Sequence, residues 1–453
     1  MLRPRNVGKH LCRHTNYIHD KVFTDTAEAR DKKAVGTLNV VEYFEIEGFW
    51  GDKKVTLNLH EDINFLIGTN GSGKTTIINL LSAVLQGDIP TLYSIQFSRA
   101  FVRLKTRGAN KKPIIEVTKT IDEKTNSFEL KYLIKSKSGD KGASYVVEGP
   151  FEDRIYQDPR YTRGRRLRED GARLGSILNQ VVEVNWLSVH RAAHDNDRRR
   201  YPDEEIRPSV DAKIREISRG FSTYFSALSS QADKETESFQ EHVFLSLLDQ
   251  ERNMASVFSA TQEPADRNTV IGILKDLGVT QSRANRSVST HLGRVSEARK
   301  KLQAETTFTI DDAIALSDAS RIGDLIVKWR QLQDAKDKIF EPKDKFEKII
   351  NSLFSGKELH FDERNLPKVH LGNSDEVEIG VLSSGEKQLF ILLGEAVLQE
   401  GKPVVFISDE PELSLHVSWQ STLFQHIRSL NGACQIISAT HSPDIVGHFQ
   451  NKV

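Results

Sequence analysis

One stretch narrows the choice of fold more than any other: Phe65-Leu66-Ile67-Gly68-Thr69-Asn70-Gly71-Ser72-Gly73-Lys74-Thr75-Thr76. An apolar run feeds a glycine-rich loop, and Lys-Thr-Thr opens an apolar helical stretch. This is the phosphate-binding P-loop pattern of Gly, four residues, Gly-Lys-Thr. Each residue type has a physical reason. Gly68, Gly71 and Gly73 let the backbone curl, so that successive N–H groups converge on phosphate oxygens. The helix that begins there adds its positive dipole end. Lys74 is placed to reach β- and γ-phosphates, and Thr75 to offer its hydroxyl to Mg²⁺. Residues Asn70, Gly71, Ser72, Gly73, Lys74, Thr75 and Thr76 are thus candidate nucleotide-binding residues. An ordinary glycine-rich turn is the alternative, and the strand-loop-helix context weighs against it.

The end of the chain carries a second set of signals. Leu382-Ser383-Ser384-Gly385-Glu386-Lys387-Gln388 precedes an apolar run, Leu389–Leu398. Ser383 and Glu386 have capping-box spacing, so a helix starts here, and its N-terminus makes Ser383, Ser384 and Gly385 a second candidate anion site. Val404–Ile407 then reads as a buried strand that delivers Asp409 and Glu410 at its carboxyl end. Adjacent acids there suit a division of labour: Asp409 holds Mg²⁺ through its water shell, and Glu410 orients and deprotonates an attacking water. A helix with Trp419, Leu423, Ile427 and Leu430 on one face follows. Gln435–Thr440 is a further strand, ending at His441.

Between these ends, Leu38–Ile46 and Val55–Leu59 read as strands joined by a turn at Gly51-Asp52, and residues 93–150 as an antiparallel β lobe. The run Arg154, Arg160, Arg163, Arg165, Arg166, Arg168 carries Asp158, Glu169 and Asp170 among its bases. It reads as a solvated charged loop in preference to a nucleic-acid contact, as does Arg198–Arg200. Val181–Val189 reads as a buried strand ending at His190-Arg191. Residues 203–355 look helical. A short seam runs through Leu325, Trp329, Leu332 and Ile339, and Pro342 ends or kinks it before a new helix with Phe346, Ile349, Ile350 and Leu353.

Taken singly, Asp409-Glu410 could be a solvated pair, Ser383–Glu386 a plain helix cap, and His441 a surface histidine. The ordered set resembles the ATP-binding cassette (ABC) ATPases in their SMC, RecF and OLD-like branch. Walker A matches at Gly68–Thr75, the signature loop at Leu382–Gln388 and Walker B at Val404–Glu410. The D-loop matches at Leu413–His416 and the switch histidine at His441. Gln96 and the strand end at His190-Arg191 are rival positions for the Q-loop. The resemblance implies an α/β fold: an ABC-type P-loop ATPase head, a mixed sheet with an antiparallel β lobe, carrying a helical insertion. It implies ATP and Mg²⁺ as cofactors, with Thr75 and Asp409 at the metal and Glu410 and His441 catalytic. It also implies a head-to-head homodimer in which Ser384 and Gly385 meet the γ-phosphate in trans. The expected divisions are a loosely ordered leader over 1–36, head over 37–191, helical insertion over 192–355 and head again over 356–453. For the leader, an organellar targeting peptide is the alternative, because acids are scarce before Asp20.

No apolar run approaches the ~20 residues that span a bilayer, so a complete transporter is excluded. The two cysteines, Cys12 and Cys434, form no disulfide framework, and a reducing cytoplasm is expected. With 63 basic and 63 acidic residues, net charge offers no reason to expect nucleic acid, though local patches could still bind it. The chain ends soon after His441 with no fused TOPRIM nuclease, so any effector is expected to be a separate chain. Within the family the sequence resembles the stand-alone ATPase subunits of bacterial anti-phage systems, PARIS first and the Septu and retron-associated ATPases next. That implies a homo-oligomer, up to a hexamer, that holds a separate TOPRIM-like or HNH nuclease and answers to a phage trigger protein. The alternative is a RecF-like repair ATPase that binds DNA directly.

Overall fold

The computed structural model describes residues 39–122, 127–137, 139–150, 162–187, 209–248, 266–304, 306–372 and 375–452. The proposed leader, Arg154, Arg160, His190-Arg191 and Arg198–Arg200 lie outside them. Two compact units form: one from residues up to Lys213 and from Leu382 onward, the other from Ile214–Val381.

The first unit contains two sheets. Strands β1 (Asn39–Phe49), β2 (Lys53–Asn58), β4 (Arg99–Thr106), β5 (Ile114–Asp122), β6 (Ser127–Lys135) and β7 (Ala143–Pro150) form an antiparallel sheet in the order β2-β1-β4-β5-β6-β7. Strands β3 (Ile63–Ile67), β8 (Val184–Leu187), β12 (Val405–Asp409) and β13 (Gln435–Thr440) form a parallel sheet, β3-β13-β12-β8. Both reflect their patterns. Strand β6 alternates buried and outward residues, as a one-sided sheet requires. Strand β13 is buried throughout, as a strand covered on both faces must be. Helix α1 (Lys74–Gln86) is apolar nearly all round, and Ile78, Leu81, Val84 and Leu85 share one continuous core with residues of both sheets. Gln435 joins the sheets across the chain: its side chain accepts from Val41 N–H (2.8 Å) and donates to the Val41 and His60 carbonyls (2.7 Å each).

Two segments of the first unit depart from the sequence expectation. The backbone from Thr162 to Asn179, read in part as a charged loop, is a helix, α3. Its C-terminal half buries Leu174 and Leu178 in the core of the first unit; Gly164, Gly171 and Gly175 had interrupted its apolar period. The helix expected through Trp419 and Leu430 is two, Val417–Gln420 and Leu423–Leu430. The break lets Trp419 turn toward Gly385 while Phe424 packs edge-on against Phe65, ring centroids 5.3 Å apart.

The second unit is helical, with a small antiparallel sheet of β9 (Lys357–Phe361), β10 (Pro367–Leu371) and β11 (Asp375–Glu378). With α2 (Ile89–Ser94) in the first unit, the helices of the second unit are α4 (Ser209–Leu248), which begins in the first, α5 (Arg267–Asp276), α6 (Gln281–Gln303) and α7 (Ile310–Leu353). Helix α7 runs through Pro342 as one helix, where the sequence reading had an end or a kink. Phe346 and Ile350, fully buried, hold the turns beyond the proline in an aromatic core with Phe221, Phe225 and Phe361. That burial outweighs the ~3 kcal/mol a helix-interior proline costs.

Asp312 caps α7. The Thr309 hydroxyl and N–H donate to it at 2.7 and 2.9 Å, and Lys301 Nζ stands 2.9 Å away. These contacts, the Thr309 hydroxyl foremost, hold its carboxyl at about 2. A carboxyl lowered on folding stabilises fully above its unfolded value, about 3.9, and loses that contribution as pH falls through the folded one. Asp312→Ala is therefore expected to lower the urea midpoint at pH 7. The gap from wild type should close between about pH 4 and pH 2, as read by denaturation at stepped pH.

Candidate nucleotide-binding site

The site lies at the carboxyl ends of the parallel strands. Strand β3 leads into the P-loop, and Gly73 takes φ 94°, ending the loop and opening α1. A Cβ at Gly73 would also lie 2.8 Å from the Trp50 ring, so glycine is required twice over. Lys74 is 7% exposed, with Nζ folded back onto the Gly68 and Thr69 carbonyls at 2.8 and 3.2 Å. Asn70, Gly71 and Ser72 are exposed at the loop tip, and Thr76 is half-buried.

The parallel pairing β3-β13-β12 brings three further predicted residues to Lys74. Thr75 Oγ1 donates to Asp409 Oδ1 at 3.1 Å. Octahedral Mg²⁺ holds oxygens at about 2.0–2.1 Å, which places neighbouring ligands about 2.9 Å apart. At 3.1 Å the pair fits two adjacent corners of one Mg²⁺ shell, which would make Asp409 a direct ligand in place of the water-shell contact expected from the sequence. His441 Nε2 lies 2.9 Å from Lys74 Nζ and 3.3 Å from Glu410 Oε1. An ammonium has no lone pair, so in the contact with Lys74 it is Nε2 that accepts. Glu410 itself is in the left-handed region, φ 46°, which costs on the order of 1 kcal/mol. It is held there as its N–H donates to the Ala439 carbonyl at 2.8 Å.

The serine motif forms its own cluster. Ser383 caps helix α8 (Ser384–Leu398) in a reciprocal box: Ser383 N–H donates to Glu386 Oε2 at 2.7 Å and Glu386 N–H to Ser383 Oγ at 3.4 Å. Ser383 and Ser384 are exposed. Among the described residues, none of the hydrogen bonds of Ser383, Ser384 or Gly385 reaches the P-loop. Gly385 instead packs on the loop after β12; a Cβ there would stand 2.6 Å from the Ser414 carbonyl. Ser414 takes φ 71° to present that carbonyl. Gln388 donates to the Pro411 carbonyl at 2.7 Å, a second tie between this helix and the β12 exit. Lys387 pairs with Asp211 at 3.0 Å, and Lys213 with Glu395 at 2.5 Å, so the start of α4 is fastened along α8. Gln96 is exposed on the segment between α2 and β4.

Two residues near the site had no role in the sequence reading. Trp50, 43% exposed, stacks on Phe49 at 4.7 Å and borders Gly73; only its place in a Gly-Phe-Trp-Gly turn hinted at it. Glu412 is buried beside His441, visible beforehand only as part of the Asp-Glu-Pro-Glu run.

A P-loop closing one parallel strand, with an Asp-Glu pair closing another, defines a P-loop nucleotide-binding head. The chain belongs to the family described as AAA ATPase domain, which matches residues 41–446. No curated protein matches the chain in sequence. Among solved structures it is similar to the Smc head domain with an extended coiled coil bound to the C-terminal domain of ScpA from Pyrococcus furiosus, at 17% identity and TM-score 0.37, covering 90% of this chain and 91% of that one. It is similar to an Smc head bound to the C-winged helix domain of ScpA, at 13% identity and TM-score 0.40, covering 89% and 91%. It is also similar to the recombination mediator protein RecF with ATPrS, at 12% identity and TM-score 0.32, covering 92% and 96%. No helix among the described residues is long and apolar enough to cross a membrane.

Proposed function

We propose that the chain binds ATP with Mg²⁺ and hydrolyses it slowly, as a conformational switch. The observation that carries this is the convergence of Lys74, Thr75, Asp409, Glu410 and His441 from three neighbouring parallel strands. Lys74 exchanges its carbonyl partners for phosphate oxygens. Thr75 and Asp409 hold the metal, whose chemistry is to neutralise charge building on the β- and γ-phosphates. Glu410 takes the proton of the attacking water, and His441 reports the γ-phosphate by leaving Lys74. Trp50 offers an exposed aromatic face beside the loop for the base.

The chain works as a homodimer in this reading. Ser383, Ser384 and Ser414 are exposed, with Leu413 44%, Val417 61% and Ile67 47% exposed around the same unit. Such apolar side chains gain from being covered, and a second copy's serines would complete the γ-phosphate site.

The wider role we infer is that of a sensor and scaffold in an anti-phage complex that holds a separate TOPRIM-like or HNH nuclease. This rests on the resemblance of the Asp409–His416 run and on analogy of architecture. One observation weighs against the DNA-binding alternative. On the antiparallel sheet, Lys54, Arg99, Arg103, Lys105 and Lys112 are each paired with Glu42, Glu45, Glu47, Glu61 or Glu116. A neutralised ladder is a poor phosphate track. The test is a pull-down of the tagged protein from its host, with mass spectrometry and a nuclease-treated control. A stoichiometric nuclease retained after DNA removal is the expected result. DNA without a protein partner would establish the RecF-like role instead.

A further inference from the structure

Glu412 is 8% exposed, and a carboxylate that far from water needs donors. One oxygen receives all of them. Oε1 accepts from the Thr440 hydroxyl, from His441 N–H at 3.1 Å and from Ser442 N–H at 3.3 Å. Oε2 is buried with no hydrogen-bond partner among the described residues. Ser442 N–H also reaches Thr440 Oγ1 at 2.9 Å, closing a small ring around the carboxylate. Successive N–H groups aimed at one anion form a concave binding site, here filled by the protein's own side chain. Hydrogen bonds to an ionised acceptor are roughly twice as strong as neutral ones.

The three donors bracket one residue, His441. Its backbone enters from β13 at Thr440 and leaves through Ser442, and Glu412 grips it on both sides. The imidazole that this backbone carries stands 2.9 Å from Lys74 Nζ and 3.3 Å from Glu410 Oε1. Glu412 is also two residues beyond Glu410, in a turn closed by Leu413 N–H to the Glu410 carbonyl (3.2 Å) and Leu415 N–H to the Glu412 carbonyl (2.9 Å). We infer that Glu412 is a positioning residue for the hydrolytic site: its buried carboxylate sets the His441 backbone, and through it the distance of the imidazole from Lys74 and Glu410. Glu412 touches neither the P-loop nor the Thr75–Asp409 pair in any described contact, so its effect falls on turnover and not on nucleotide affinity. The inference rests on the ATPase reading for its kinetic consequence, but the placement of His441 does not depend on that reading.

The test uses Glu412→Ala and Glu412→Gln in the full chain, with three readouts: affinity for a fluorescent ATP analogue, steady-state kcat, and the His441 imidazole resonances, assigned with His441→Gln. Misplacing a reacting group by about 1 Å can cost on the order of 100-fold. Glu412→Ala is expected to lower kcat by about 30- to 100-fold while analogue affinity stays within about twofold, and to shift the His441 resonances. Glu412→Gln keeps an acceptor at Oε1 without the charge, and is expected to recover most of the rate, to within about fivefold of wild type. Wild-type turnover in Glu412→Ala overturns the inference, as does an equal loss of affinity and rate in both variants, the mark of a merely structural side chain. If the wild type hydrolyses no ATP, the ATPase reading fails alone, and the resonances decide: shifted in Glu412→Ala, the positioning role stands; unmoved, it falls. If Glu412→Ala does not fold, the His441 resonances of Glu412→Gln decide: a shift supports the inference, and unmoved resonances overturn it.

Discussion

Lys74→Ala is expected to weaken ATP binding by about 100-fold or more, ~2.7 kcal/mol, measured by calorimetric titration with Mg²⁺. The magnitude follows from what the ammonium does. Buried and folded onto the Gly68 and Thr69 carbonyls, Nζ is held at the mouth of the loop by neutral partners. Phosphate oxygens would replace these with charge-assisted hydrogen bonds, each about 1.5–3 kcal/mol. Alanine removes that gain and leaves the loop carbonyls facing the anion. Lys74→Arg should recover little, because a planar fork cannot occupy the place of a compact ammonium with three donors. The His441 contact adds a second reading of the same variant. With Lys74 gone, Nε2 loses its donor and the histidine is free to turn to Glu410. ATP bound by Lys74→Ala as tightly as by wild type would remove the P-loop from the binding reaction.

Glu410→Gln is expected to reduce kcat by about 10²- to 10⁴-fold, the range of a general base, and to leave ATP affinity nearly unchanged. The amide preserves the side chain's shape and the left-handed backbone at this position, φ 46°, but it cannot take a proton. ATP-bound copies should then accumulate as dimers in size-exclusion chromatography with ATP and Mg²⁺, and remain monomers with ADP. Turnover at the wild-type rate would show that another group activates the water. An ATP-dependent block without dimers would separate hydrolysis from association, and remove the exposed Ser383, Ser384 and Leu413 surface from the argument.

Much of the site was legible because each part is local chemistry. Gly68–Thr75 needs its glycines and lysine in one short loop, and the Ser383–Glu386 box is a relation across a single turn. Asp409-Glu410 announces itself as two acids at the end of an apolar strand. The alternation of the β lobe and the apolar face of α1 were equally readable, because each reports burial of contiguous residues. Helix α3 was not: its glycines broke the period, and only its packing against the first unit's core through Leu174 and Leu178 accounts for it. The continuity of α7 through Pro342 was hidden for the converse reason. The local penalty is visible in the sequence, while the aromatic core that overrides it comes from Phe221, Phe225 and Phe361, far away along the chain.

By itself, then, the sequence determined that a P-loop pattern, a capped serine motif and a strand-end acid pair exist, and which side chains each contains, because those follow from backbone and side-chain chemistry within a few residues. Tertiary structure alone decided that the loop meets the acid pair, while the serine motif packs on the loop after β12. Placing β13 between β3 and β12 brings His441 to Lys74, and Thr75 to Asp409 334 positions away. It also decided that Gln435 clamps Val41 from 394 positions off and that Glu412 grips the backbone of His441. Such contacts leave no local period, since strand order and long loop closures are set by the packing of the whole core.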